Sequence, residues 1–242
     1  MSNTEFTLYA FPSMPGTFNM GPAAAKADIL LQMAGMPFTT EMHPDYKAFS
    51  KGKLPVLKDG DTIIEDSEFI RLYLGTEYGK TLDAGLDDSQ KAIGHALSRM
   101  LDERSYIAMV EARWVKDEGW AQIRPMFFAE SSDEEAEGMR QQMREHLAHF
   151  NFSAHTNEEK RMLIREDMRA ISALLGDKPF MMGDEPTYID ATIFGFLANF
   201  YASSVKIWLG EEVAAFSNLV TYIERGIARW YPNEGTAAVA AE

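Results

Sequence analysis

The sequence predicts an α/β domain built on a mixed four-stranded sheet, followed by an all-helical domain. Two observations carry this expectation. Between Phe6 and Gly79, short β-branched and aromatic runs alternate with helical patterns in the order β-α-β, then β-β-α. From about residue 86 onward no strand alternation recurs, and apolar residues repeat at steps of three and four. The composition shift at about residues 80–87 sets the expected units at 1–82 and 86–235, with a frayed tail over 236–242.

Phe6 to Phe11 (FTLYAF) reads as the first strand, closed by Pro12. A loop rich in Pro, Gly and Ser runs on to Pro22. Ala23, Ala27, Leu30, Leu31 and Ala34 then mark one face of a helix, with Pro22 in its first turn and Gly35 at its stop. Phe38 to Met42 reads as a second strand. A helical connection between two strands implies that they pair in parallel. Pro55-Val56-Leu57-Lys58 and Thr62-Ile63-Ile64-Glu65 flank Asp59-Gly60-Asp61, a strong local signal for an antiparallel hairpin. A helix starting near Asp66-Ser67, with Phe69, Ile70, Tyr73 and Leu74 on one face, completes the unit near Gly79.

In the second unit, helices are expected over 89–118, 133–150, 158–175, 188–205 and 218–230. Ser132 with Glu135, Thr156 with Glu159, and Thr187 with Asp190 have the spacing of capping boxes, in which each side chain satisfies a backbone N–H that the helix start leaves free.

The chain has 242 residues, 46% of them hydrophobic, enough to bury a sizeable core. Its 23 Lys+Arg against 37 Asp+Glu give a formal charge of −14, which argues against nucleic acid or an anionic membrane as partner. With no cysteine, disulfides, thiolate nucleophiles and Cys-ligated zinc are excluded. The first five residues lack the character of a signal peptide, and no apolar run approaches the roughly 20 residues of a membrane span. A soluble, cytoplasmic protein is expected. His146, His149 and His155 are the only cluster with metal-like spacing, and no second ligand motif matches them, so no metal is expected.

Several motifs occur in order along the chain. Lys53-Leu54-Pro55-Val56-Leu57 precedes the hairpin, and Asp66-Ser67 follows it. Pro186-Thr187-Tyr188-Ile189-Asp190-Ala191 and Phe216-Ser217-Asn218-Leu219, with Tyr222 and Arg225, lie in the helical unit. Together they resemble the glutathione transferases, whose thioredoxin-like half precedes a helical half. Pro22 to Lys26, Met33 to Phe38, Gly52 to Pro55, Asp66 to Ile70, and Ala112-Arg113-Trp114 resemble the bacterial relatives of the metaxin and failed-axon-connections group.

The resemblance implies a site for glutathione as co-substrate. Such a site must anchor two carboxylates and an ammonium, offer a strand-like groove, and stabilise a thiolate that free glutathione hardly populates at neutral pH. Asp66 would pair with the ammonium. Ser67 and the N–H groups of a helix start would hold a carboxylate, although the same two residues also suit a plain N-cap. The Leu54–Pro55 bond is expected to be cis by resemblance, turning the Leu54 main chain toward the cysteinyl unit; a trans proline opening an edge strand is the plain alternative. Lys51 or Lys53 would meet the glycyl carboxylate.

The tyrosine that activates the thiol in some classes falls at Ala10, and the thioredoxin-type redox positions fall at Gly21 and Ala24, which have no reactive atom. Ser13, Thr17 and Asn19 are the remaining donors to the sulfur, though such residues also serve ordinary loops. Arg113 and Trp114 would shape an electrophile pocket, or else form a salt bridge and part of the core.

The resemblance thus implies a transferase joining glutathione to a small apolar electrophile, and it allows a homodimer. The alternative is a catalytically inactive relative used for binding or assembly.

Overall fold

The computed structural model describes residues 6–11 and 18–232. Ser13, Thr17 and the expected tail over 236–242 lie outside the described residues.

Four strands, β1 (Phe6–Tyr9), β2 (Phe38–Glu41), β3 (Val56–Asp59) and β4 (Thr62–Glu65), form one sheet in the order β2-β1-β3-β4. β1 pairs with β2 in parallel, Phe6 opposite Phe38, and with β3 antiparallel, Leu8 opposite Leu57. β3 and β4 form the expected hairpin, with Asp59 opposite Thr62. Alternation sets the facing: Phe6 and Leu8 are buried, whereas Thr7 and Tyr9 between them are half-buried.

Helix α1 (Pro22–Ala34) is apolar almost all round because it is covered twice, by the sheet and by a helix of the second half. Ala25, Ala27, Ile29, Leu30 and Leu31 are fully buried. Gly35, at φ 67°, ends the helix, and Met36 N donates to Leu31 O at 3.0 Å across the stop. Helix α2 (Ser67–Tyr78) follows β4.

From Asp88 onward the described structure is helical: α3 (Asp88–Met100), α4 (Tyr106–Trp114), α5 (Asp117–Phe127), α6 (Asp133–Leu147), α7 (Asn157–Leu175), α8 (Tyr188–Tyr201), α9 (Leu209–Ala214) and α10 (Ser217–Trp230). The single helix expected over 89–118 is therefore three pieces. A π-helical turn at Leu101–Ser105 joins α3 to α4, and the chain breaks at Lys116, which is extended (φ −72°, ψ 144°).

Helix α5 was hidden from the sequence by Pro125, which sits close to the helix end, where Phe128 N still bonds Arg124 O at 2.9 Å. Gly119 permits the break: a Cβ there would lie 2.0 Å from Ala112 O, so α5 folds back directly onto the end of α4. The boxes at Ser132 and Thr156 form as expected, with Glu135 N donating to Ser132 Oγ at 3.3 Å and Glu159 N to Thr156 Oγ1 at 3.2 Å.

Helix α8 is the centre of the second half and is buried from Tyr188 to Phe200. Asp190 at its start accepts from Met181 N and Thr187 N, both at 2.8 Å, and from the Tyr222 hydroxyl of α10 at 3.1 Å. Burial nevertheless raises its carboxyl above the ordinary range. Gly195 brings α8 against α1, since a Cβ there would stand 2.8 Å from Pro22 O. Among the described residues no helix is long and apolar enough to cross a membrane.

Candidate functional site

The segment before β3 and the start of α2 meet at one end of the sheet. The Leu54–Pro55 bond is cis, and Asp66 N donates to Pro55 O at 3.2 Å, so the two motifs are adjacent. Pro55 is buried, Leu54 half-buried and Lys53 exposed. Among the described residues the main-chain N–H and C=O of Leu54 bond to no other group, leaving a donor and an acceptor side by side.

Asp66 is the N-cap of α2: its Oδ1 accepts from Glu68 N at 2.8 Å. Its backbone sits at φ 85°, a conformation that costs a non-glycine residue and clusters at functional sites. Ser67 is buried at the first helical position, and neither its N–H nor its hydroxyl has a partner among the described residues. A free N–H, a hydroxyl and the positive end of a helix dipole form an anion cradle, and the exposed Asp66 carboxylate beside it can meet a cation.

Two ionic contacts stiffen this corner, and the sequence reading missed both. Lys26 of α1, only 2% exposed, donates to Glu68 Oε2 at 2.7 Å. Arg71 holds the other oxygen of Glu68 at 2.6 Å and lies over the Tyr188 ring, 4.5 Å from its centroid. Burial pushes the Glu68 carboxyl upward, but Arg71 and Lys26 together outweigh it and bring the pKa down to about 2. The signal that would have exposed the pair is a lysine set within the apolar pattern of α1.

Asp102, on the π-helical turn, faces the same corner from the helical half. Burial raises its carboxyl; the Lys26 and Arg99 charges oppose the rise, while Asp66 and Glu68 add to it.

The lysines differ. Lys51 Nζ reaches Glu65 O at 3.5 Å and lies 5.3 Å from the Phe69 ring centroid, whereas Lys53 has no partner among the described residues.

Of the loop donors, Asn19 falls within the described residues and is 4% exposed. Its amide donates to Phe11 O at 2.5 Å and its oxygen accepts from Gly21 N at 2.9 Å, so both ends are engaged by the loop itself. Arg113 is buried and pairs with no carboxylate among the described residues, contrary to the salt-bridge expectation, while Trp114 is half-buried against Phe127, 5.2 Å between centroids. Separate from this corner, a cavity of about 870 Å³ opens between α4, α7 and α8, with the Glu111–Lys160 ion pair in its wall.

Residues 22–119 match the model of the family described as glutathione S-transferase N-terminal domain, and residues 164–226 that of the glutathione S-transferase C-terminal domain. The isoprene-epoxide–glutathione S-transferase of Rhodococcus sp. (strain AD45) is 32% identical over 230 residues, 90% of this chain and 96% of that protein. Failed axon connections of Drosophila melanogaster is 25% identical over 249 residues, 93% of this chain and 58% of that protein. Among solved structures, glutathione S-transferase III in its apo form superposes with a TM-score of 0.61 at 18% identity, covering 98% of this chain and 99% of that one.

Proposed function

Because the chain belongs to the glutathione S-transferase family, we propose that it binds reduced glutathione and transfers it to a small apolar electrophile. One observation carries this reading: the unpaired Leu54 main-chain groups lie beside the unpaired N–H and hydroxyl of Ser67 at a helix start. Asp66 pairs with the ligand's ammonium, and Ser67 with its γ-glutamyl carboxylate. Leu54, turned by Pro55, pairs in strand fashion with the cysteinyl unit. Lys53 meets the glycyl carboxylate. Ser13 or Thr17 donates to the sulfur, and Asn19 holds the loop that presents them.

The chemistry is a displacement. The thiol releases its proton to solvent and the thiolate attacks an electrophilic carbon. An S–C bond forms as the bond to the leaving atom breaks, and a ring-opened oxygen takes a proton from water. The name of the 32%-identical relative supports a strained, uncharged electrophile of the epoxide class. The reading includes a cytoplasmic protein, a homodimer and a separate sheet-bearing unit up to about residue 82.

A binding or assembly module without catalysis is the second reading. The engagement of the Asn19 side chain within the loop favours it, as does the lack of a reactive atom at Gly21 and Ala24.

Calorimetric titration with glutathione decides between them. We expect micromolar-to-millimolar binding that Asp66→Ala weakens at least about tenfold, roughly 1.4 kcal/mol. No heat and no thermal shift at about 10 mM glutathione, where a 1 mM site would add about 1.4 kcal/mol, would reject the transferase reading.

A further inference from the structure

The loop leading from β1 into α1 is held by a chain of buried polar groups whose last member is a cation without an acid. Arg113 of α4 is 3% exposed. Its guanidinium donates to Met20 O at 2.6 Å, to Asn199 O at 2.7 Å and to Asn199 Oδ1 at 3.1 Å. Asn199, fully buried on α8, donates onward to Asn19 O at 3.0 Å and Gly195 O at 2.9 Å. Asn19 then bridges Phe11 O and Gly21 N. Three elements far apart in sequence thus converge on residues 18–21.

Every acceptor around Arg113 is uncharged, and its Nε has no partner. Burial lowers the guanidinium pKa to about 10, so it keeps its charge at neutral pH; Tyr106 on the same helix is the titratable group whose charge acts on it. Leaving a buried charge without a counter-ion costs several kcal/mol, and a neutral side chain of similar length would avoid that cost. The charge therefore has something else to act on.

It sits against the carbonyl of Met20, one residue before the N-cap of α1, and the first turn of α1 contains no acidic residue although the chain carries −14 overall. In a medium of low dielectric, both the guanidinium and the helix end favour negative charge at this point.

We propose that Arg113 is a positioning residue for the loop that receives the ligand's sulfur, and that its uncompensated charge favours the thiolate over the thiol. This rests on the glutathione reading above. The proton leaves to water, and no bond to Arg113 forms or breaks.

The thiolate absorbance of bound glutathione, followed over about pH 5–9, reads the effect directly. Arg113→Met should raise the bound thiol's pKa by about one unit or more, a tenfold loss of thiolate below that pKa. Affinity for S-methylglutathione, which has no thiol to ionise, should change less than about threefold. Arg113→Lys, which keeps the charge but not the fork, should recover at least half of the shift. Arg113→Gln, which keeps a donor for Met20 O without the charge, carries the same expectation as Arg113→Met if that variant fails to fold.

A folded Arg113→Met or Arg113→Gln protein with the wild-type thiol pKa overturns the proposal while leaving the glutathione reading intact. So does equal loss of S-methylglutathione affinity in the Lys and Met variants without a pKa shift. Wild-type protein that binds neither glutathione nor S-methylglutathione removes both.

Discussion

Glu68 accepts from a buried lysine on one side and an arginine on the other, and the direction of its shift fixes how acid should act. Its folded pKa, about 2, lies below the ordinary 4.5, so its contribution is present above pH 4.5 and disappears as pH falls through 2. Glu68→Gln should therefore lose about 3 kcal/mol near neutral pH and close most of that gap with the wild type on approaching pH 2. Denaturant melts of both proteins across that range measure it; a gap constant with pH would contradict the assignment. The residues of this corner differ in how legible they were. Leu54, Pro55, Asp66 and Ser67 declare themselves because a proline before a strand and an Asp-Ser pair at a helix start are local patterns. Lys26 and Glu68 stand 42 positions apart, and nothing local announces that one buried charge will find the other.

At the scale of elements, helix packing against helix is set by what the contact leaves out. Gly195 lets α8 approach the first turn of α1 so closely that a methyl group would stand 2.8 Å from Pro22 O, a backbone atom with little freedom to retreat. Gly195→Ala should destabilise the protein by about 2 kcal/mol or more, read as a lower thermal midpoint, and unchanged stability would show that the two helices can part at no cost. The strands, the Asp-Gly hairpin and the capped helices were readable because period, turn chemistry and caps agree there. The break at Lys116 was not, because an unbroken apolar pattern runs through it and the fold-back depends on Gly119 meeting Ala112, a tertiary event. Pro125 masked α5 for a related reason: a residue that argues against a helix interior is tolerated close to its end.

Over the whole molecule, α1 belongs to the sheet by sequence and to α8 by burial, so neither half has a complete core alone. Trp114, Trp120, Trp208 and Trp230 all lie in the helical half, which makes indole fluorescence a probe of that half. Its unfolding transition should coincide with loss of exchange protection in the β1 and β3 amides, and two separated transitions would show that the halves are thermodynamically independent. Recombination inherits a constraint from the same arrangement. A chimera joined near residue 85 would separate Asn19 from Asn199, and Met20 from Arg113. A foreign helical half would leave the loop between β1 and α1 without its struts, however well the new interface packed. For this chain, the unit that lineages or engineers can exchange is the sheet together with the buried arginine and asparagine that reach across to it.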